Sequence, residues 1–215
     1  MKVITIANQK GGTGKSTITA NIACLFSNNN YNTLVIDTDF QNSISDFHLI
    51  RSKKENLKNF SCIKILNPTI HQEVSKFNNF DIIIIDTGGR YSKVFSSAIL
   101  SSDIVIIPVL PSPYDIFATY DSIEIINEIQ QYKQFQSYIL LNMVMEKTLI
   151  NKEIEENINE LINKYNVKLL NSKLHNLIAY KYSINEGISV YERSNDKAGK
   201  EILELYQEIL NILEL

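Results

Sequence analysis

Short apolar segments with strand-like composition recur along this 215-residue chain, and they limit the folds open to it. Most of them are apolar on both faces, which is typical of strands that are covered on both sides in a parallel sheet. Helical patterns lie between them, so the order of elements predicts right-handed βαβ units. We therefore expect an α/β fold with a doubly wound, mostly parallel sheet and helices on both faces. The predicted strands are residues 3–7, 33–37, 62–66, 81–86, 103–109, 138–142 and 167–170, and the predicted helices are residues 16–28, 115–132, 149–165 and 198–213.

Composition narrows the class of protein. The chain has no linker, repeat or change of composition, so we expect one domain over residues 1–215. The formal net charge is -3, so any contact with DNA must come from a local basic patch. Cys24 and Cys62 are far apart, which argues against a disulfide scaffold and a cysteine-rich zinc site. No apolar run approaches the roughly 20 residues that span a bilayer, and we expect a cytoplasmic protein with no membrane partner.

The segment after the first predicted strand has the spacing of a phosphate-binding loop. Residues 9–17 end in the G-K-S/T of the pattern G-x-x-x-x-G-K-S/T, but Gln9 stands at the position of its first glycine. Glycines let backbone N–H groups turn toward phosphate oxygens, and the helix N-terminus adds positive charge. We expect Lys15 to reach the β- and γ-phosphates of ATP, Ser16 to bind Mg²⁺ and Thr17 to contact the α-phosphate. The ATP-binding residues that this pattern predicts are Gly11, Gly12, Thr13, Gly14, Lys15, Ser16 and Thr17.

Lys10 is a second lysine in this loop, and a phosphate site within one subunit does not require it. Taken alone it would be a solvated surface lysine. However, the sequence Lys-Gly-Gly-Thr-Gly-Lys-Ser-Thr over residues 10–17 resembles the deviant Walker A motif of the ParA/MinD ATPase superfamily. The resemblance implies that Lys10 crosses a dimer interface and contacts the nucleotide of the other subunit. It therefore implies catalytic roles for Lys10 and Lys15 and a link between ATP binding and dimerisation.

Two aspartates follow the second predicted strand. Residues 37–41 resemble the D-x-D-P-Q segment of the same superfamily, with Phe40 at the usual position of proline. The end of a strand near the phosphate loop suits Asp37 for holding the water shell of Mg²⁺. Asp39 would then be catalytic and orient or activate the attacking water. Spacing alone also allows the two aspartates to cap a strand–loop turn.

A third carboxylate follows a run of four isoleucines. Residues 81–89 resemble a Walker B motif, in which a buried strand delivers Asp86 to the sheet edge where ligands bind in open α/β sheets. We expect Asp86 to bind Mg²⁺ through water. Gly88 and Gly89 stand where the superfamily more often has prolines, which predicts a more mobile segment here.

The resemblance covers nearly the whole chain and is greatest to small partition proteins of the ParF type. Residues 107–115 resemble a Pro-rich loop near the nucleotide base and the dimer or polymer contacts, and a rigid strand–helix connection explains each of them equally well. Residues 188–192 resemble the segment before the last helix. For Asn142, the resemblance implies an amide that binds adenine, with a strand-end cap as the alternative reading.

The resemblance implies a plasmid-partitioning P-loop ATPase that uses ATP and Mg²⁺. It would form an ATP-dependent homodimer or filaments, bind nonspecific DNA and associate with the nucleoid in the ATP state. A ParB-like or ribbon-helix-helix centromere-binding partner would stimulate hydrolysis.

Few basic residues are available for DNA phosphates, which are bound mainly through lysine and arginine. Each candidate is equally well explained as a scattered solubilising residue. The candidates are Arg51, Arg90, Arg193, Lys147, Lys152, Lys173, Lys181, Lys197 and Lys200.

Two other functions are alternatives to DNA partition. A MinD-like positioning ATPase would share the phosphate loop, but the polar face of residues 201–215 is acidic, which anionic lipid would repel. We expect this segment to be a helix packed on the domain.

A redox or metabolic enzyme is disfavoured because Cys24 and Cys62 do not follow the Walker B segment, as the cluster ligands of nitrogenase iron proteins do. The histidines are also unclustered.

Overall fold

The structure of the protein is a computed structural model, and it describes residues 1–90, 92–145, 152–194 and 196–215. Seven strands form one sheet in the order β3-β2-β4-β1-β5-β6-β7, and every neighbouring pair is parallel. The predicted doubly wound sheet is thereby confirmed. The strands are β1 Lys2–Ile6, β2 Thr33–Asp37, β3 Ser61–Lys64, β4 Ile82–Asp86, β5 Ile104–Val109, β6 Gln136–Val144 and β7 Lys168–His175.

Helices cover both faces of this sheet. One face packs against α1, α2 and α10, and the other packs against α3, α4, α6 and α7. The central strands are apolar on both faces because both faces are covered, and β2, β4 and β5 are buried at every residue. The helices are α1 Lys15–Asn28, α2 Ser43–Arg51, α3 Ile70–Glu73, α4 Lys93–Ser101, α5 Pro113–Phe117, α6 Tyr120–Gln130, α7 Lys152–Lys164, α8 Ile178–Glu186, α9 Val190–Arg193 and α10 Lys197–Leu213.

The predicted helix over residues 115–132 is wrong in one respect, because the structure has two helices there. Ser112 caps the short α5 by accepting a hydrogen bond from the Asp115 backbone. The helix is then interrupted at Thr119. The Thr119 hydroxyl donates a hydrogen bond to the Asp115 carbonyl at 2.9 Å and accepts one from the Asn8 side chain at 3.2 Å. The break thus ties the start of α6 to the chain that leads into the phosphate loop.

The other predicted helices are present with small changes at their ends. The first residues of the predicted helix 149–165 lie outside the described residues. The last helix packs on the domain as predicted, where it lies against β7 with Ile202, Leu205, Ile209 and Leu213 buried. No helix among the described residues is long and apolar enough to cross a membrane.

Candidate nucleotide-binding site

The carboxyl ends of three adjacent strands, β2, β4 and β1, meet at one edge of the sheet. The register places Asp37 beside Asp86 across β2 and β4, and Asp86 beside Ile6 across β4 and β1. The chain leaves β1 at this edge, makes the phosphate loop and enters α1 at Lys15. Residues far apart in the sequence are therefore brought together where open α/β sheets bind ligands.

Two glycines set the shape of the phosphate loop. Gly12 and Gly14 have φ angles of 78° and 86°, in the left-handed region that side chains disfavour. A Cβ atom on Gly14 would also overlap the side-chain nitrogen of Asn142. That nitrogen donates a hydrogen bond to the Thr13 carbonyl at 2.7 Å. In this structure Asn142 therefore braces the loop from the end of β6, and its predicted contact with adenine remains a prediction.

The side chain of Lys15 lies back along its own loop. Its Nζ donates to the Lys10 carbonyl at 3.0 Å, and the residue is only 6% exposed. Burial lowers the pKa of Lys15, while the charges of Asp86 and Asp39 act in the opposite direction. Lys15 is thus a buried cation near two carboxylates, in the position from which a P-loop lysine reaches phosphate.

Asp86 holds the first turn of α1. Its two oxygens accept hydrogen bonds from Ser16 Oγ at 2.6 Å and Thr19 Oγ1 at 3.2 Å. Burial, with a smaller contribution from the nearby charge of Asp37, raises the pKa of Asp86 to about 7 against the lowering effect of the Ser16 hydrogen bond. Sequence reasoning predicted Asp86 and Ser16 but missed Thr19, although its position one turn after Ser16 on α1 was a usable signal.

The two aspartates after β2 have different environments. Asp37 is fully buried and accepts hydrogen bonds from the Asp39 backbone at 2.9 Å and from the Ser45 hydroxyl. Asp39 is half-buried and accepts from the Gln41 backbone at 3.1 Å. Asp37 therefore does stabilise the turn, as the simpler reading of the sequence suggested, while Asp39 lines the open cavity.

Gly89 packs directly on the phosphate loop. A Cβ atom there would lie 3.1 Å from the Gly11 Cα and 3.3 Å from the Gly11 nitrogen. A Cβ on Gly88 would lie 3.7 Å from the Asp39 carboxylate. Gly89 thus allows a close approach between the loop after β4 and the phosphate loop, whereas a Cβ on Gly88 would make only an ordinary contact. The predicted mobility of this segment remains a prediction.

A cavity of about 950 Å³ opens over these groups. It is lined by the phosphate loop and Asp39, and also by two cations that were not predicted to bind nucleotide, Arg90 and Lys181. A second cavity of about 360 Å³ shares Gly14 and Lys181 with the first and continues past Asn142. Together the two cavities provide an elongated space with phosphate-binding groups at one end.

Lys10 is the one predicted catalytic residue that the structure turns away from this cavity. Its Nζ forms an ion pair with Asp115 and lies 4.7 Å from the centre of the Tyr114 ring. Burial raises the pKa of Asp115, but hydrogen bonds from Lys10 and Ser112 outweigh it and leave that pKa below its ordinary value. Sequence reasoning missed Asp115 as a partner of Lys10 because it lies in α5, 105 positions further along the chain.

The fold and the loop define a P-loop NTPase, an α/β protein that binds nucleotide at the carboxyl edge of its sheet. The chain belongs to the CobQ/CobB/MinD/ParA nucleotide binding domain family, which matches residues 4–204. This places it in the ParA/MinD superfamily, as its motifs predicted.

Relatives of known structure or name agree with this placement. The maintenance of carboxysome distribution protein A of Halothiobacillus neapolitanus is 24% identical over 96% of this chain and 95% of that protein. An ATP complex of a McdA variant from Cyanothece has a TM-score of 0.77 at 18% identity, covering 100% of this chain and 97% of that one. The cell division ATPase MinD of Pyrococcus furiosus has a TM-score of 0.75 at 18% identity, covering 98% and 99%.

The basic residues considered for DNA contact differ in how accessible they are. Arg51 is 1% exposed and forms an ion pair with Glu192 at 2.6 Å, so it has no free guanidinium for DNA. Lys147 lies outside the described residues. Lys173, Lys181 and Lys200 are exposed and make no ion pair within the described part of the chain, whereas Lys152, Lys197 and Arg193 each lie within 4.0 Å of a glutamate oxygen.

Proposed function

We propose that this protein is a Mg²⁺-dependent ATPase that dimerises on ATP and partitions a DNA cargo such as a plasmid. One observation carries the proposal. Ser16, at the start of α1, is held by the buried Asp86 at 2.6 Å, beside the buried Lys15. This is the arrangement that a P-loop ATPase needs to bind Mg²⁺ and phosphate together.

The donor set suits Mg²⁺. The hydroxyl of Ser16 and the carboxylates of Asp37 and Asp86 are oxygen ligands of the kind that Mg²⁺ prefers, directly or through water. The two carboxylates are neighbours in register and both are fully buried, so a divalent cation near them would offset their repulsion. When bound, Mg²⁺ supplies charge neutralisation at the γ-phosphate.

The residues of the chain would divide the remaining work. The loop N–H groups between Gly11 and Thr17 hold the phosphates, and Lys15 leaves the Lys10 carbonyl to contact them. Asp39 orients the attacking water from its place on the cavity wall. Lys10 of a second subunit completes the charge around the γ-phosphate, so that hydrolysis depends on dimerisation.

The second cavity is suited to the nucleoside. It continues from the loop at Gly14 and is lined by Asn142 and by the side chains of Leu177 and Tyr180. Mixed apolar and amide groups of this kind are typical of sites that bind a planar base. Supporting this assignment, the two cavities share residues at the junction, so one ligand can occupy both.

The named relatives support a second candidate cargo. The carboxysome distribution protein matches this chain over nearly its full length, and its name describes the placement of a protein compartment. A positioning ATPase with a cargo other than DNA is therefore the alternative to plasmid partition. In either case, a partner that recognises the cargo would stimulate hydrolysis.

Binding to a random-sequence DNA duplex tests the proposal. Fluorescence anisotropy would be measured with ATP–Mg²⁺ and ADP–Mg²⁺ at near-physiological salt. We expect binding at least about tenfold tighter with ATP, with an affinity that falls steeply as salt rises, because phosphate contacts release counterions.

Two variants make this experiment specific. Asp39→Ala should bind ATP, hydrolyse it slowly and remain on DNA as the ATP dimer. Lys10→Ala should bind nucleotide as a monomer and lose the ATP-dependent DNA binding. Wild-type turnover in Asp39→Ala, or normal ATP-driven dimers in Lys10→Ala, would refute these roles. ATP turnover without DNA binding would favour the alternative cargo.

A further inference from the structure

Lys10 has a specific partner within its own subunit. Its Nζ pairs with an Asp115 oxygen and lies over the face of Tyr114, 4.7 Å from the ring centre. The side chains of Lys10 and Asp115 are only 24% and 16% exposed. The ammonium therefore has a partly buried carboxylate and an aromatic face, both of which favour a cation.

Asp115 is itself fixed in place. Its second oxygen accepts a hydrogen bond from the Ser112 hydroxyl, and its backbone N–H donates to Ser112 Oγ at 3.2 Å. Its carbonyl accepts from Thr119 at 2.9 Å. The side chain of Asn8 then connects this segment to the loop, because it donates to Thr119 at 3.2 Å and accepts from the Lys10 backbone at 2.9 Å.

If Lys10 acts on the nucleotide of a second subunit, we expect its ammonium to leave Asp115. We propose that Asp115 is a positioning residue for Lys10, which it holds within its own subunit until a second ATP-bound copy of the chain offers phosphate instead. This inference rests on the proposed function, since it assumes that Lys10 acts across a dimer. Removing the Asp115 charge should then make ATP-driven dimerisation easier.

The contact can be tested without nucleotide. Nucleotide-free protein would be treated with a limiting amine-acetylating reagent, and the modification rate of each lysine would be read by mass spectrometry. Asp115→Asn should raise the rate at Lys10 about threefold, the size expected for a modest ion pair. Asp121→Asn is the matched control, because it removes the same charge from an exposed position on α6. An unchanged rate at Lys10 would overturn the proposal.

The second measurement is dimerisation in ATP–Mg²⁺, followed by analytical ultracentrifugation. Two copies of Lys10 change partner in each dimer, so a threefold effect on each predicts about a tenfold lower dissociation constant in Asp115→Asn. Basal ATP turnover of Asp115→Asn should also exceed that of the wild type, when both are measured at one protein concentration below the dimer dissociation constant. Affinity of the monomer for ADP should stay within about twofold, because Lys10 of the same subunit does not contact its own nucleotide.

A variant that keeps the carboxylate distinguishes a positioning role of Asp115 from a purely structural one. Asp115→Glu keeps the charge and should restore the wild-type dissociation constant, while Asp121→Asn should match the wild type throughout. Dimerisation that is equal in Asp115→Asn and the wild type would refute the positioning role. The wild type itself could fail to dimerise or hydrolyse ATP while Asp115→Asn still raises the acetylation rate of Lys10. That result would refute the proposed function and support the contact between Lys10 and Asp115.

Discussion

Gly14 lacks a side chain for two independent physical reasons. Its φ angle of 86° is unfavourable for any residue with a Cβ atom, and the space where that atom would stand holds the Asn142 amide. Gly11 differs, since a Cβ atom there would meet nothing within 4 Å and its φ is outside the left-handed region. The two glycines of one loop therefore have different requirements.

Alanine at Gly14 and alanine at Gly11 should therefore have different effects on stability. Gly14→Ala should lower the free energy of unfolding by about 1–2 kcal/mol, because it adopts a left-handed conformation and displaces the Asn142–Thr13 hydrogen bond. Gly11→Ala should change it by less than about 0.5 kcal/mol. Urea denaturation of the nucleotide-free proteins would measure both. Equal losses in the two variants would contradict the assignment.

Sequence motifs predicted individual site residues only where the residue belongs to a local motif or follows a buried strand. Ser16 and Asp86 were predicted together because a phosphate loop and a buried strand each have a recognisable pattern. Asp115 was not, because its contact with Lys10 joins residues separated by 105 positions. Nothing in the sequence near Lys10 indicates that α5 folds against it.

At the scale of elements, a buried ion pair joins α2 to α9. Arg51 at the end of α2 is bound by both oxygens of Glu192 at 2.8 and 2.6 Å, and it also donates to the Lys58 carbonyl at 3.0 Å. Glu192 accepts a further bond from Asn28 at 2.8 Å, which adds the end of α1. Three helices on one face of the sheet thus meet at one carboxylate.

Removal of that carboxylate should be costly. Glu192→Ala leaves the Arg51 guanidinium buried without its partner and should lower the free energy of unfolding by about 3–5 kcal/mol. Arg193→Ala is a neighbouring control, because its pair with Glu186 is 36% and 42% exposed and should contribute under about 1 kcal/mol. Chemical denaturation would measure both, and similar losses would show that the Arg51 pair is not a stability determinant.

Elements with continuous burial were predicted well, and short or half-exposed helices were not. The strands β2, β4 and β5 were found because every residue in them is buried. Helix α2 was missed because only three of its nine residues are buried, which leaves little apolar periodicity. The end of β7 was also missed, since this edge strand alternates exposed and buried residues and includes Lys173.

For the whole molecule, acid stability follows from the sign of a pKa shift. Burial raises the pKa of Glu192, but hydrogen bonds from Arg51 and Asn28 and the Arg51 charge leave it below its ordinary value. The ionised group therefore stabilises the fold fully above the unfolded value of about 4.3 and loses this effect as pH falls through the folded value.

We expect the stability difference between the wild type and Glu192→Gln to be constant above about pH 5.5 and to shrink on further acidification, by at most about 1.4 kcal/mol per pH unit. Because the comparison is a difference, the titration of the other carboxylates largely cancels. Urea denaturation from pH 3 to pH 7 would measure it. A difference that stays constant down to pH 3 would contradict the shift.

The architecture of the whole chain was the most predictable feature. Alternating strands and helices admit few topologies once crossovers are right-handed, so the parallel sheet followed from pattern alone. The cargo did not follow, because it is recognised by surface residues whose types do not depend on the fold. Arg51 illustrates the difficulty, since a cation counted for DNA contact proved to be part of the core.

The Lys10 carbonyl, which accepts a hydrogen bond from Lys15, is an internal competitor for phosphate in this loop. We expect a β-phosphate, that of ADP included, to compete with that carbonyl for the N–H donors of Lys15. Under the proposed function, the Lys10 side chain responds to a different event, the arrival of a second subunit. The carbonyl and the ammonium of one residue would then respond to two different events, so we expect that the protein can bind nucleotide without dimerising.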